Sequence, residues 1–159
     1  LMFAGDQHGK AEEAIRFYQS LFANSAIEHI DHYTEADAGE KPGTVKHAVF
    51  QLNGQDFMAI DSGLDHQFNF TEAFSLYVEC ETQEEIDRLW NALSAVPEAE
   101  ACGWLKDKFG VSWQITPRVL GDWMLDSDPE KAQRTMDAML QMKKLDIAAL
   151  ERAHAGQPE

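Results

Sequence analysis

The most constraining feature of this sequence is a strand-then-helix pattern that occurs twice. A short apolar segment at 1–4 precedes an amphipathic helical pattern at 11–22, and a β-rich segment at 73–80 precedes a second helical pattern at 82–93. Neither half can bury both its helix and the face of its sheet alone. The sequence therefore predicts a single α+β domain made of two similar halves.

Each half also closes with a predicted β-hairpin. Asn53-Gly54 tolerates positive φ at both central positions and suits a type I′ turn, while Gly110 supplies a positive φ for a three-residue turn in the second half. One further strand is predicted at 27–33. The predicted hairpin strands are 45–52 with 55–61, and 101–107 with 111–116.

The last part of the chain changes character to helix. Asp128 is a predicted N-cap with Pro129 at the first helical position, and a last short helix is predicted at 147–153. We interpret this part as a packing or dimerisation element. One face of the first of these helices is apolar and consists of Ala132, Met136, Met139 and Leu140. The predicted parts are a first half at 1–64, a second half at 65–117 and a helical extension at 118–159.

Composition excludes several classes of partner. The chain has 28 acidic against 13 basic residues, a formal net charge of -15, which repels phosphate backbones and anionic lipid surfaces. We therefore expect no nucleic-acid partner. We expect no membrane partner either, because no apolar run is long enough for a membrane span. We expect a cytoplasmic protein with a few residues preceding Leu1. Cys80 and Cys102 form either one disulfide or two reduced thiols, and the thiols are the simpler interpretation in a reducing cytoplasm.

Four stretches carry a resemblance to a known family. AEEAIRFY (11–18), NGQDFMAID (53–61), CGWLKDKFGVSWQ (102–114) and DPEKAQ (128–133) together resemble PhnB-like proteins of the vicinal-oxygen-chelate (glyoxalase/bleomycin-resistance) superfamily. Many of these proteins carry the domain label 3-demethylubiquinone-9 3-methyltransferase. The resemblance implies paired βαβββ modules that form a curved mixed sheet around a cavity, and a homodimer.

The resemblance also implies where a metal would be held. In metal-using relatives, inward-facing His, Glu or Gln side chains from both halves surround one divalent ion. Among the matching positions only Gln114 is able to coordinate, so we expect neither a metal nor another cofactor. The matching positions are Met2 and Phe3, Met58 to Ile60, Phe74 to Leu76, and Gln114.

Several polar and aromatic residues are candidates for contact with a ligand. His47 lies in a β-rich run on the side of Val45 and Val49. It is interpreted either as an acid or base that acts on a ligand or as a structural histidine. Asp61 and Glu79 lie near strand ends, as oxygen ligands of a shifted site or as solvated carboxylates.

Two tryptophans and a glutamine complete the candidates. Trp104 and Trp113 flank the second hairpin as an aromatic wall or as core, and Gln114 points to the opposite face from Trp113. His29 and His32 are expected on opposite faces of their strand, so they cannot easily share an ion.

These residues favour a protein that binds a small molecule in the cavity of its sheet without the usual metal. The alternative is a metal-dependent lyase, isomerase or dioxygenase with a displaced ligand set. The methyltransferase of the family label is a weaker alternative, because the sequence shows neither alternating βαβ units nor a Gly-rich cofactor turn. A partner-binding role stays open, and so does the question of catalysis.

Overall fold

The computed structural model describes residues 1–157 and divides the chain into two compact units, Leu1–Asn69 and Phe70–Glu159. The sequence pattern placed the end of the first half at residue 64, before the polar segment that leads to the second sheet. Each unit contains one mixed sheet with a helix between its first two strands, which confirms the predicted α+β class.

The first unit has the predicted βαβββ order. Its strands lie in the order β1-β4-β3-β2, with β1 parallel to β4 and the other pairs antiparallel. The elements are β1 (Met2–Phe3), a 3-10 turn (Gly5–Gln7), α1 (Ala11–Leu21), β2 (Ala26–His32), β3 (Val45–Leu52) and β4 (Gln55–Asp61).

The helix α1 forms because its apolar residues share one face, and it packs on the sheet with that face. Ala14, Ile15 and Tyr18 are fully buried, and burying a side chain the size of Ile15 contributes about 1.5–3 kcal/mol. On the sheet, Phe3 and Phe50 are fully buried as well. Asn53 and Gly54 have φ of 48° and 82°, which confirms the predicted turn between β3 and β4.

A bulge in β3 corrects the predicted orientation of His47. Asp31 pairs with His47 and His32 pairs with Val45, so Lys46 is an extra residue. One extra residue reverses the alternation of side chains, and accordingly Val45 is buried while His47 is exposed. The prediction that His47 lies on the side of Val45 was wrong, because a bulge leaves no mark on the sequence alternation. The side that it was predicted to share with Val49 is retained, because the register is regular from His47 to Val49.

The second unit repeats this arrangement with fewer strands. Its sheet has the order β5-β7-β6, again with the first strand parallel to the last. Its elements are β5 (Ser75–Cys80), α2 (Gln83–Leu93), a 3-10 turn (Pro97–Ala99), β6 (Trp104–Lys106), β7 (Ser112–Pro117), α3 (Val119–Met124), α4 (Pro129–Leu140) and α5 (Ile147–Ala155).

The strand β6 is shorter than the predicted strand at 101–107. Cys102 and Gly103 have φ of 51° and 86°, which an extended strand does not adopt. They form a tight turn in which Ala101 and Trp104 exchange backbone hydrogen bonds. We call residues 101–104 the docking turn, since the C-terminal extension binds to it.

The C-terminal extension is held by backbone hydrogen bonds and a small core. The N–H groups of Cys102 and Gly103 donate to the carbonyls of Met142 and Lys143, both at 2.8 Å. Leu145 is fully buried, and its small apolar core includes Leu120, Leu150, Met139 and Met142. Of the predicted apolar face of α4, Met136 and Leu140 are exposed instead. No described helix is long and apolar enough to cross a membrane.

Candidate functional site

Alternation along the three strands of the second sheet separates a core face from a polar face. Leu105, Trp113 and Ile115 are buried on the side of α2. The residues between them project from the opposite side, which we call the polar face. The polar face includes Ser75, Tyr77, Glu79, Trp104, Lys106 and Gln114.

Three residues of the polar face form one row across the sheet. Gln114 of β7 pairs with Tyr77 of β5 on one side and with Trp104 of β6 on the other. We call Tyr77, Gln114 and Trp104 the central row. The Gln114 amide nitrogen donates to the Ser75 hydroxyl at 2.9 Å, which holds the amide in place. No described residue donates to its carbonyl oxygen, which is able to accept a hydrogen bond. The central row thus presents an amide between two aromatic rings.

The charged groups beside the central row are mostly neutralised by partners. Lys106 forms an ion pair with Glu72, and the hydrogen bond to Lys106 lowers the pKa of Glu72. Arg118 lies 2.8 Å from Glu81 and 3.9 Å from Glu79. Glu79 therefore interacts more weakly with Arg118 than Glu81 does, and its negative charge is less neutralised.

A buried hydroxyl lies in the neighbouring row. Ser112 pairs with Ser75 and Lys106, two positions before Gln114 on β7. It is 2% exposed, and its hydroxyl has no hydrogen-bond partner among the residues that the structure describes. An unsatisfied buried hydroxyl costs about 1–3 kcal/mol. A polar group bound beside the central row is one means of satisfying it.

The first sheet also has a polar side, opposite α1. His29 lies 2.9 Å from Asp31, and this hydrogen bond is the largest cause of the lowered pKa of Asp31. The rings of His29 and His47 are 6.4 Å apart between centroids. His32 instead contacts Glu12 of α1 at 2.6 Å, so the expected opposite orientation of His29 and His32 is confirmed.

Asp61 has a structural place that the sequence pattern did not show. It is 1% exposed. One carboxylate oxygen accepts from the N–H groups of Gly9 at 2.8 Å and Ala11 at 3.2 Å, and the other accepts from Val45 at 2.8 Å. Both oxygens are therefore engaged with the backbone, and Asp61 is corrected from a ligand candidate to the residue that joins the start of α1 to β3.

Trp113 is corrected in the same way. It is 1% exposed on the core face, and its indole nitrogen donates to Asp107 at 2.8 Å. Trp104 projects from the other face of the sheet, so the two tryptophans form no common wall. The expectation that Gln114 points away from Trp113 is confirmed by the Ser75 contact of Gln114.

Two further kinds of group bear on the chemistry of the chain, namely its thiols and its metal-ligating side chains. Both cysteines are free thiols, and burial raises the pKa of Cys80 to about 12. Within residues 1–157 no group of three His, Cys, Asp or Glu side chains is placed to hold a metal ion.

Sequence reasoning overlooked Tyr77 as a member of the site. The signal was present, because alternation along Ser75-Leu-Tyr-Val-Glu79 places Tyr77 with Ser75 and Glu79. Its neighbour Gln114 is far away in sequence, however, and a parallel pairing of β5 with β7 is not visible in either strand alone.

Comparison with known proteins places the chain in a structural context. The sequence model of the family described as 3-demethylubiquinone-9 3-methyltransferase matches residues 1–116. The helices α3 to α5 lie beyond that match. None of the curated proteins matches the chain.

The solved structures that are similar to the chain include the following three. A putative 3-demethylubiquinone-9 3-methyltransferase, PhnB protein, from Bacillus cereus is 51% identical, with a TM-score of 0.63, over 74% of this chain and 95% of that one. A Staphylococcus aureus protein is 36% identical over 74% and 91% of the two chains, with a TM-score of 0.32. A Pseudomonas aeruginosa protein is 22% identical over 74% and 92%, with a TM-score of 0.58.

Proposed function

The chain belongs to the PhnB-like family described as 3-demethylubiquinone-9 3-methyltransferase, and from that premise we propose that it binds a small organic molecule on the polar face of its second sheet, without the metal site used by other members of the superfamily. The central row is the observation that carries this proposal. It combines a held amide with two ring faces, which is the usual composition of a small-molecule site.

The contacts of the row support binding and orientation of a ligand. Tyr77 is 54% exposed and Trp104 is partly exposed, so both rings are accessible for stacking. Gln114 is held by Ser75 at 2.9 Å, which reduces the entropy lost when its carbonyl accepts a hydrogen bond. The proposal is a binding role, because an amide, a phenol and an indole orient a molecule but are weak acids and bases near neutral pH.

The metal-dependent alternative has less support. The family positions Met2 and Phe3 on β1 and Met58 on β4 carry no oxygen or nitrogen donor in their side chains. A displaced set of His47, Asp61, Glu79 and Gln114 would need the carboxylate of Asp61, whose oxygens already accept three backbone N–H groups. Coordination there would disrupt the start of α1.

The methyltransferase label implies S-adenosylmethionine, and the described residues do not fit that cofactor. Each sheet contains a single parallel pair, β1 with β4 and β5 with β7. A doubly wound cofactor domain needs successive parallel strands and a Gly-rich turn before a helix. Here α2 begins at the N-cap Thr82, whose side chain accepts the N–H of Glu85, and residues 80–85 before and at its start contain no glycine. We therefore propose no methyl transfer.

The binding proposal is tested with a library of small planar fragments and ligand-detected NMR. We expect hits for the wild-type protein that lose most of their signal with Gln114→Leu, because this variant keeps the side-chain size but removes the amide. Gln141→Leu is the matched control, since Gln141 is an exposed glutamine at the end of α4. Fragments that bind Gln114→Leu as well as they bind the wild type would contradict the proposal.

Metal analysis tests the metal-independent part separately. Protein purified without a chelator or a histidine tag is expected to carry less than about 0.1 ion per chain. A near-stoichiometric metal content that disappears in Gln114→Leu or Glu79→Gln would support the metal-dependent alternative instead.

A further inference from the structure

We propose that the ligand of the central row is a small organic cation, a tertiary or quaternary ammonium compound held between the rings of Tyr77 and Trp104 with its charge toward Glu79. This inference rests on the proposed function and specifies the chemical class of the ligand. It is carried by the positions of Tyr77 and Trp104 on either side of Gln114, by the uneven ion pairs of the polar face and by the charge of the chain.

The spacing of the strands that carry the two rings suits one compact group. Tyr77 and Trp104 pair with Gln114 from opposite sides, and adjacent strands lie about 4.8 Å apart. The backbones that carry the rings are therefore roughly 10 Å apart, with both side chains on the polar face. A cation above Gln114 would have an aromatic side chain on either side, and attraction of a cation to a ring face is effective within about 6 Å of the ring centroid.

Next to these rings, the carboxylate of Glu79 has only a distant ionic partner among the described residues. Glu79 follows Tyr77 by two residues on β5, so both project from the same face. The Arg118 guanidinium is 2.8 Å from Glu81 but 3.9 Å from Glu79. Because Arg118 is held mainly by Glu81, Glu79 is able to take a cation without breaking a close pair.

The two basic residues near the central row already have carboxylate partners. Lys106 is paired with Glu72, and Arg118 with Glu81. An anionic ligand would have to compete with these partners. It would also approach a chain with a formal charge of -15, whose field attracts cations and repels anions. Local and long-range electrostatics therefore favour the same class of ligand.

A metal ion does not use these groups as well as an organic cation does. One carboxylate and one amide fall short of the oxygen ligands that a hard divalent ion requires, and no group of three candidate ligands exists within residues 1–157. Ring faces, in contrast, bind quaternary ammonium groups without displacing a hydration shell of fixed geometry.

The test uses three probes of nearly equal shape that differ in charge. These are choline, its neutral carbon analogue 3,3-dimethyl-1-butanol, and the anion 3,3-dimethylbutanoate. We expect choline to bind at least about tenfold more tightly than the neutral analogue, measured by isothermal titration calorimetry and by Trp fluorescence. We expect no binding of the anion, and weaker choline binding at high salt.

Variants separate the charge from the rings. Glu79→Gln is expected to weaken choline binding severalfold and to leave binding of the neutral analogue unchanged. The matched control is Glu98→Gln, since Glu98 is an exposed glutamate of the same unit. Tyr77→Phe keeps the ring face and should retain binding, whereas Tyr77→Leu should lose it. Circular dichroism verifies that each variant is folded.

The outcomes distinguish this inference from the binding proposal. If the neutral or the anionic probe binds as tightly as choline, or if no probe binds while fragments still depend on Gln114, the cationic class is wrong and the binding proposal stands. If no fragment depends on Gln114, both proposals fail. Glu79→Gln behaving like Glu98→Gln would also overturn the assignment of Glu79.

Discussion

At the scale of single residues, two buried carboxylates stabilise the fold by accepting N–H groups of the protein, as a carboxylate in a binding site accepts N–H groups of a ligand. Asp61 accepts backbone N–H groups from Gly9, Ala11 and Val45. In the second unit, Asp107 accepts from the N–H groups of Phe109 and Val111 and from the Trp113 indole. A carboxylate at a strand end therefore has two possible roles, and burial decides between them: both residues are 1% exposed.

The first prediction concerns Asp61. We expect Asp61→Ala to lower the free energy of unfolding by about 2–4 kcal/mol, because it leaves several buried N–H groups without an acceptor. Asp56→Ala is the control, since Asp56 is exposed and, within residues 1–157, accepts only from the Gln51 side chain. Urea denaturation measures both variants. Equal, small losses for the two variants would show that the Asp61 bonds contribute little.

At the scale of elements, the docking turn connects the second sheet to the C-terminal extension. Its two left-handed residues, Cys102 and Gly103, present their N–H groups to Met142 and Lys143. A Cβ on Gly103 would lie 3.0 Å from the Ile115 carbonyl oxygen and 3.0 Å from a methyl of Leu145. The glycine is thus required both by its φ and by the close approach of the backbone.

The second prediction follows from that geometry. We expect Gly103→Ala to destabilise the protein by about 1–3 kcal/mol through strained φ and crowding. Gly121→Ala is the matched control, because Gly121 lies in the helix α3 with open space around it and alanine favours helix by about 1 kcal/mol. Urea unfolding should therefore move in opposite directions for the two variants. A stabilised Gly103→Ala would refute the role of the turn.

At the scale of the whole molecule, charge is the dominant property. The formal net charge of -15 implies repulsion among carboxylates at neutral pH. Local ion pairs reduce this repulsion. One example is Asp37, whose pKa is lowered to about 2, chiefly by the hydrogen bond from Lys46. The exposed Met136 and Leu140 of α4 leave an apolar surface on the extension, and the homodimer that the resemblance implies stays a prediction.

The third prediction concerns salt and pH. At pH 8 we expect sodium chloride to raise the melting temperature by a few degrees, because screening weakens the net repulsion. Near the sequence pI of about 4.6 the same salt should have little effect. The ionisation of Asp37 does not change between these two pH values. Its lowered pKa contributes stability that is present above the ordinary pKa of 3.8 and is lost only as the pH falls toward about 2. Differential scanning calorimetry at the two pH values measures the effect, and salt destabilisation at pH 8 would contradict it.

The sequence predicted the type of nearly every element because these depend on local patterns. Apolar spacing predicted α1 and α2, Asn53-Gly54 predicted its hairpin, and Asp128 predicted the start of α4, where it accepts the N–H of Glu130 at 2.9 Å. The short helix α3 was not predicted, since its single buried residue, Leu120, gives no periodic signal.

By itself, then, the sequence determined the family, the order of helices and strands, and the acidic surface, because propensity, alternation and charge are properties of neighbouring residues. Only the tertiary structure decided which distant residues meet. The bulge at Lys46, the engagement of Asp61 by the backbone and the row of Tyr77, Gln114 and Trp104 all depend on strand register. Register between distant strands is set by packing across the whole sheet, and no local pattern contains it.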